Sequence, residues 1–338
     1  MKSCTVSDDW TYRGMRVIFL ENEHLRIGIL ADRGSDIFEF RYKPLDVDPL
    51  LRLAKGIQNP AHLFSQQRET KSQFEDHYYG GWQEMLPNSP AFVYRGASLG
   101  QHGEVSLIPW KYSIIKDEPD EVSVKMWTRP LRVPLLIEKT LSLKKNDPTL
   151  HITEKLTNEG GTVLDIMWGH HIAFGLPFLN DGAEIETNAT TFSAEPSMPP
   201  NRRFQPGKEF SWPLGEDMQG QPVHAGNIDD VSARSYSELS YLTGYNKDAF
   251  YSIKSKKYNI AFNLRWDGDL FKYTWLWEER FATKDFPWWG KCYTVALEPW
   301  TSPWTADPEG AIAKSSWRKI YPEEPIQTTL QASILRTQ

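Results

Sequence analysis

A carboxylate at the end of an apolar, strand-like run is the first candidate for chemistry. Residues Lys291–Trp300 read KCYTVALEPW, and Glu298 is the acid in that run. Successive side chains of a strand point to opposite faces. One predicted face is bulky and the other is small apart from the acid: Tyr293, Val295 and Leu297 against Cys292, Thr294, Ala296 and Glu298. Such a strand could place a base beneath a ligand, although a solvated glutamate at a strand end would give the same pattern.

A second run carries a base of another kind. Residues Asp165–Phe174 read DIMWGHHIAF, so His170 and His171 should diverge if one strand runs through them. They are therefore not expected to chelate one ion together. We expect His171 to open onto a groove, because Gly169 on the same face would leave room for a ligand. His170 is expected to be buried and hydrogen-bonded.

The elements that must position these residues are strands. Apolar residues alternate with polar ones in runs around residues 122–126, 137–143, 260–266 and 273–277, and turn signals such as Asp267-Gly268 separate the runs. Helical candidates are few and short, such as Leu50–Lys55. This pattern predicts an all-β protein, a large antiparallel sandwich or barrel. We expect residues 1–338 to form a single domain, with residues 195–230 as a long loop draped over it.

Composition and motifs exclude several classes. The chain has 338 residues and a net charge of −6, which argues against nucleic acid as a partner. Its two cysteines lie far apart, so neither a disulfide framework nor a zinc site is expected. No apolar leader or membrane-spanning stretch is present, which predicts a cytoplasmic protein with no membrane partner. Phosphate loops, nucleophile elbows and HExxH motifs are also missing.

Aromatic residues are abundant and grouped. There are 14 Trp and 14 Tyr, and Trp288 and Trp289 stand together beside Pro287 and Gly290 in a predicted loop. Indole and phenol rings offer a flat apolar face with a polar edge, which suits stacking on sugar rings. Most of these residues are expected to be core bulk. Trp288 and Trp289 are the best candidates for ligand contacts.

Two glycine motifs in the first third complete an ordered set. Tyr79-Gly-Gly-Trp-Gln-Glu-Met-Leu-Pro-Asn88 comes first, followed by His102-Gly103 and Trp110. These motifs, the later His171-Ile-Ala-Phe174 and the strand bearing Glu298 resemble, in this order, the aldose 1-epimerase (galactose mutarotase-like) superfamily. The likeness spans roughly residues 25–335. Each motif is short, but the ordered set is fairly specific.

The resemblance implies a large antiparallel β-sandwich, the galactose mutarotase-like supersandwich, with few short helices. It implies an isomerase that interconverts the α- and β-anomers of a sugar. By carry-over, Glu298 would be the general base on the anomeric hydroxyl and His171 the general acid on the ring oxygen. His102 would bind or protonate that oxygen. A carboxylate and an imidazolium in one groove suit this chemistry near neutral pH, and no metal or other cofactor is required.

The substrate-binding shell departs from the family pattern. Gln83 and Asn88 stand where the family carries other residues, and Asp248 is only a shifted candidate for its acidic substrate ligand. His77 and Trp289 are further candidate substrate contacts. Glu104 after His102-Gly103 would repel a phosphate dianion, so we expect a neutral or uronic free sugar. The oligomeric state stays open.

Other functions remain open on the sequence. A non-catalytic carbohydrate-binding or sensor protein on the same sandwich would explain the aromatic residues equally well. A lyase or isomerase of a modified hexose could use Tyr79, Tyr94, His77 or His170 as an additional acid or base. A metal site from His77, His102 and Glu84 has spacings that match no ligand motif.

Overall fold

The computed structural model describes residues 3–62 and 73–337. In the first half the strands are β1 (Thr5–Tyr12), β2 (Met15–Glu21), β3 (Leu25–Leu30), β4 (Asp36–Tyr42), β5 (Trp82–Met85), β6 (Phe92–Tyr94), β7 (Ala97–Leu99), β8 (Lys111–Glu118), β9 (Glu121–Thr128), β10 (Leu135–Lys144), β11 (Thr149–Asn158), β12 (Leu164–Ile166) and β13 (Gly169–Phe174). In the second half they are β14 (Ala183–Thr187), β15 (Thr191–Ala194), β16 (Glu209–Ser211), β17 (Leu214–Glu216), β18 (Pro222–His224), β19 (Asn227–Ile228), β20 (Ser237–Thr243), β21 (Asp248–Ser255), β22 (Ile260–Asp267), β23 (Tyr273–Arg280), β24 (Tyr293–Trp300), β25 (Arg318–Ile320) and β26 (Ile326–Arg336). The helices among all the described residues are a 3₁₀ turn (Lys43–Leu45), α1 (Gln73–His77) and α2 (Pro308–Ala313).

Two large antiparallel sheets pack into a sandwich. The first has 11 strands in the order β1-β2-β3-β4-β5-β13-β24-β23-β20-β15-β16. The second has 9 strands in the order β19-β14-β21-β22-β26-β11-β10-β9-β8. Phe262 of the second sheet touches Phe40 and Trp82 of the first, at ring centroid distances of 5.2 and 6.4 Å. The predicted all-β sandwich with few short helices is confirmed.

The strand that carries Glu298 separates two apolar clusters. Tyr293, Val295 and Leu297 belong to the large core between the sheets. Cys292 and Ala296, which point the other way, belong to a second cluster on the opposite face of the 11-stranded sheet. The alternation predicted for this strand is therefore observed. In that sheet β24 lies between β13 and β23. The side chains on its small face therefore lie beside the side chains that β13 and β23 carry on the same face.

Three local expectations are corrected. Leu50–Lys55 is extended with isolated bridges and a turn, because Leu50 and Arg52 pair with Phe174 and Gly80. The predicted continuous strand through residues 164–174 is broken: β12 pairs with β25 in a small separate sheet, whereas β13 enters the large one. The predicted irregular stretch at residues 195–230 contains the four short strands β16 to β19.

No helix in the described ranges is long and apolar enough to cross a membrane.

Candidate active site

An aromatic pocket of about 190 Å³ opens on the face of the 11-stranded sheet that lies away from the core. We call it the aromatic pocket throughout. Its walls combine four indoles and other apolar side chains with a few polar groups: Phe74, Glu75, Tyr78, Ser89, Gln101, His102, His171, Met198, Leu239, Trp275, Trp277, Trp288, Glu298 and Trp304. A concave, mostly apolar site with convergent polar groups is the usual form of a small-molecule site.

The indoles of Trp300 and Trp275 lie beside Glu298. Its Oε2 accepts a hydrogen bond of 3.0 Å from Nε1 of Trp300, two residues along β24. Trp275 on β23 lies opposite Glu298 in the sheet and stacks on Trp300, with centroids 4.4 Å apart and planes at 16°. The side chain of Glu298 is only 2% exposed. The carboxyl group therefore sits in a nearly dry, aromatic setting with one hydrogen-bond donor.

His171 comes from the neighbouring strand β13 and reaches the same carboxyl group. Its Nε2 lies 3.5 Å from Oε1 of Glu298. The reason expected for Gly169 is wrong, because a Cβ on that residue would lie 2.2 Å from the Trp300 ring. The indole of Trp300, which also donates a hydrogen bond to Glu298, fills the space beside Gly169. That space is therefore not available to a ligand.

His102 is presented by a tight turn. Its φ is 61°, and its backbone N–H donates to the carbonyl of Ser89 at 2.8 Å. A Cβ at the following Gly103 would lie 2.0 Å from the carbonyl oxygen of Leu86, so only glycine permits this approach of the two backbones. The imidazole packs edge-on to Phe74 at 4.6 Å and lies 5.8 Å from the His171 ring. The glycine motif therefore docks His102 beside His171.

Tyr78 and two tryptophans form the wall around His171. The Tyr78 ring is 4.9 Å from the His171 ring and 5.7 Å from Trp288, and Trp277 lies 5.7 Å from His171. Tyr78 is 1% exposed, and its hydroxyl has no hydrogen-bond partner within the described protein. Nδ1 atoms of His102 and His171 and Oγ of Ser89 are equally without a partner. Unpaired buried polar atoms are costly, so these four atoms could form hydrogen bonds with a ligand in the pocket.

Burial shifts the pKa values of the acid and the bases in opposite directions. Desolvation raises the pKa of Glu298 to about 8, although the hydrogen bond from Trp300 opposes the shift. Desolvation lowers the pKa of His102 to about 3. The pKa of His171 falls well below 6.5, through desolvation and through the nearby His102. At neutral pH the pair of Glu298 and His171 thus carries one proton, which resides on the carboxyl group in place of the expected imidazolium.

The three residues predicted to be catalytic lie together, whereas the five predicted substrate contacts do not line the aromatic pocket. Gln83 is buried on β5, an interior strand of the 11-stranded sheet, and donates from Nε2 to the carbonyl of Gly80 at 2.6 Å. Asn88 braces the turn before His102, because its Nδ2 donates to the carbonyls of Pro90 and Gly100 at 2.8 and 2.7 Å. Both amides thereby do structural work next to the site.

The other three predicted substrate contacts are His77, Asp248 and Trp289, and they also do not line the aromatic pocket. His77 ends α1 and contacts the carbonyl of Gln73 through Nδ1 at 2.8 Å. Asp248 begins β21 in the second sheet and pairs with Asp267, in a separate groove. Trp289 is 64% exposed, and its neighbour Trp288 faces the pocket. Of the two tryptophans predicted to contact a ligand, Trp288 therefore lines the pocket and Trp289 does not.

Several residues that line the aromatic pocket were not predicted from the sequence. Trp275 and Trp277 alternate along β23, and the register places them across from Glu298 and Ala296. That period was visible in the sequence, but the partner strand was not. Tyr78, Met198 and Trp304 lie outside the strands, where no periodicity reports orientation. Only the paired structure could bring them to the pocket.

A second buried polar cluster lies on the core side of β13. His170 is 1% exposed, as expected, and its Nδ1 accepts from Nε1 of Trp82 at 3.2 Å. Its Nε2 lies 3.2 Å from Glu154, and Glu84 lies 3.8 Å from its Nδ1. Glu84, Glu154 and His170 are close enough to hold a metal ion, but Lys139 already places its Nζ 3.2 Å from Glu84. The Lys139 ammonium offsets the Glu84 carboxylate, and burial together with the nearby Glu84 raises the pKa of Glu154 to about 7.

Known structures share this fold. A proposed aldose 1-epimerase from Klebsiella pneumoniae aligns with a TM-score of 0.76 and 14% identity over 98% of this chain and 83% of that chain. A galactose mutarotase-like protein from Clostridium acetobutylicum aligns with a TM-score of 0.68 and 16% identity over the full length of both chains. A proposed aldose 1-epimerase from Escherichia coli K12 aligns with a TM-score of 0.63 and 17% identity over 96% of this chain and all of the other.

These likenesses show that the chain has the galactose mutarotase-like fold that the motifs indicated. Comparison with curated proteins gives no significant match. The family described as a domain of unknown function (DUF4432) matches residues 12–334. The chain belongs to the DUF4432 family.

Proposed function

We propose that the protein is an isomerase that interconverts the α- and β-anomers of a free monosaccharide in the aromatic pocket. The observation that carries the proposal is the contact between His171 and Glu298, 3.5 Å apart in a dry pocket with His102 beside them. Ring opening requires one proton to leave the anomeric hydroxyl and another to reach the ring oxygen. A buried acid and base that share one proton can do both.

The mechanism follows from that shared proton. When the sugar binds, the proton moves from Glu298 to His171, whose Nε2 is the nearest basic atom. The carboxylate then takes the proton of the anomeric hydroxyl, and His171 delivers its proton to the ring oxygen, with His102 as a hydrogen-bond partner there. The open aldehyde turns about its C1–C2 bond, and the same steps run in reverse. The proton count of the pair is unchanged at the end.

The pocket's size and charge limit the substrate. Its volume of about 190 Å³ is below the roughly 300–1,000 Å³ of common ligand pockets, which suits a single sugar ring. Its acidic wall residues are Glu75 and Glu298, and neither lysine nor arginine lines it. A phosphate or uronate would therefore meet no positive charge there. Within the neutral or uronic class, we propose a neutral monosaccharide whose apolar face stacks on Trp275, Trp277 or Trp288.

Anomer exchange measured by saturation-transfer NMR tests the proposal. We expect the wild-type protein to accelerate exchange of at least one sugar in a panel of neutral hexoses, 6-deoxyhexoses and pentoses, with uronic acids as the charged comparison. Glu298→Gln should reduce that acceleration by about 100-fold or more. Glu238→Gln is the matched control, because Glu238 is also a buried carboxyl on the same sheet but contacts the backbone N–H groups of Arg203 and Phe204.

A non-catalytic sugar-binding protein is the alternative, and the aromatic walls favour it equally. The two functions differ in the response of Glu298→Gln. An enzyme loses rate while binding is retained, whereas a pure binding protein shows no acceleration in the wild type. Binding without acceleration across the panel would overturn the proposed isomerase.

A further inference from the structure

A second pocket lies next to the aromatic pocket and has the opposite character. Its volume is about 550 Å³. We call it the basic pocket, since four cationic side chains and no carboxylate line it: Asn201, Arg202, Arg203, Met218, Gln219, Arg234, Ser235, Tyr236, Ala282 and Lys284. In a chain with a net charge of −6, such a concentration of positive charge is not a consequence of composition.

Two of the cations are held in place without being neutralised. Arg202 donates from Nε and Nη1 to the carbonyls of Pro199 and Glu195 at 3.0 and 2.6 Å. Lys284 donates from Nζ to the carbonyl of Phe281 at 2.6 Å. Carbonyl oxygens orient these groups but leave their full charges in place. Positions fixed before binding reduce the entropy that a ligand contact must overcome.

The other two cations differ in burial. Arg234 is exposed, with its guanidinium 5.6 Å from the ring centre of Tyr236. Arg203 has a side chain only 2% exposed and lies 3.5 Å from Glu278, while its Nε has no hydrogen-bond partner in the described part of the chain. Among the described residues, Arg202, Arg234 and Lys284 form no ion pair. The pocket thus presents three cations that form no ion pair within the described part of the chain.

We propose that the basic pocket binds a multiply charged anion of the phosphate type. Planar guanidinium groups and an ammonium group are the donors that recognise phosphate oxygens, and these contacts strengthen where water is partly excluded. The neutral ring in the aromatic pocket cannot satisfy these charges. The inference therefore adds a binding site to the proposed function, and it does not depend on anomer exchange.

Two segments of the chain contribute residues to both pockets. The segment that begins at Glu195 gives Met198 to the aromatic pocket and Arg202 to the basic pocket, and the segment after β23 gives Trp288 to one and Lys284 to the other. Tyr236 and Leu239, which line different pockets, are three residues apart, or roughly 10 Å along an extended chain. An anion could therefore bind as a free ion or as a group attached to the sugar through a spacer.

Calorimetric titration of the full-length protein tests the site, with inorganic pyrophosphate and a hexose 6-phosphate as separate probes. We expect the wild type to bind at least one probe and Arg234→Gln/Lys284→Gln to bind it about tenfold more weakly or worse. Lys247→Gln/Arg265→Gln is the matched control. It removes the same two charges from the separate groove in which Asp248 and Asp267 balance them, and should leave the affinity unchanged.

The two sources of the anion are separated by Trp277→Ala in the aromatic pocket. If pyrophosphate still binds to Trp277→Ala, the site accepts a free anion. If hexose 6-phosphate binding is lost both in Trp277→Ala and in Arg234→Gln/Lys284→Gln, the anion is a group attached to the sugar. Absence of binding by the wild type, or an equal loss in the control, would overturn the proposal. Neither result depends on whether the protein accelerates anomer exchange.

Discussion

Glu298 and His171 act in this account as one titrating unit. Their nearest side-chain atoms are 3.5 Å apart, and burial raises the pKa of the acid to about 8 while lowering that of the base. Between those two values the unit holds one proton. Apparent pKa values measured on such a pair belong to the unit and not to either residue. A pH profile should therefore report the loss of the shared proton.

The catalysed rate is expected to fall as the pH rises through about 8. At lower pH the rate is expected to stay constant down to values well below 6.5. The reason is that the one-proton form disappears at the raised pKa of Glu298 and gains a second proton only at the lowered pKa of His171. Anomer exchange across pH 5 to 9, with the protein-free rate subtracted, measures this profile. A rate that increases through pH 8 would show instead that the fully deprotonated pair is the active form.

Tyr78 is the wall residue whose hydroxyl most needs a partner. We expect Tyr78→Phe to weaken sugar binding or slow exchange by roughly tenfold, because a bound sugar would supply that missing hydrogen bond. Steady-state exchange at several sugar concentrations separates the two effects. Tyr251→Phe is the matched control: among the described residues the buried Tyr251 hydroxyl also has no partner, but Tyr251 lies on β21 of the second sheet and does not line the aromatic pocket. Equal losses in both variants would assign Tyr78 a structural role.

At the scale of elements, β13 carries different chemistry on its two faces. His171 faces the aromatic pocket, and His170 faces a buried charge cluster that joins the sheets. Lys139 of β10 in the second sheet lies 3.2 Å from Glu84 of β5 in the first, and both side chains are at most 5% exposed. This ion pair is a cross-link between the two layers immediately behind β13.

Lys139→Met is expected to lower the free energy of unfolding by about 3–5 kcal/mol, because it leaves the Glu84 carboxylate buried without its partner. Chemical denaturation measures the change. The comparison is Lys125→Met, which breaks an exposed pair with Glu138 on the same sheet and should cost about 0–1 kcal/mol. A similar small cost for both variants would contradict the role of the cluster in joining the sheets.

At the scale of the whole molecule, the strands and their faces could be predicted because the period of two reports directly which side chains share a face. That period placed Glu298 on a small face and separated His170 from His171. Contacts made by turns and segments between strands could not be predicted in the same way. Asn88 and Gln83 are polar residues near the site, but their amide nitrogens donate to backbone carbonyls, which no spacing reveals.

The protonation of the site also lay beyond the sequence. The expected carboxylate and imidazolium become a protonated carboxyl and a neutral imidazole, because Trp275 and Trp300 dry the Glu298 side chain from neighbouring strand positions. Strand pairing brings those indoles together. Asp248 illustrates the same limit at longer range, since its strand lies in the other sheet. Chain position alone does not decide between the layers of a sandwich.

The most direct test of the account is a double-mutant cycle on anomer exchange, with Glu298→Gln, His171→Gln and both changes together. If the pair works as one proton-sharing unit, each single variant should lose about 100-fold or more of the acceleration, and the double variant should lose no more than either. Losses that multiply in the double variant, or a single variant that keeps the wild-type rate, would contradict it.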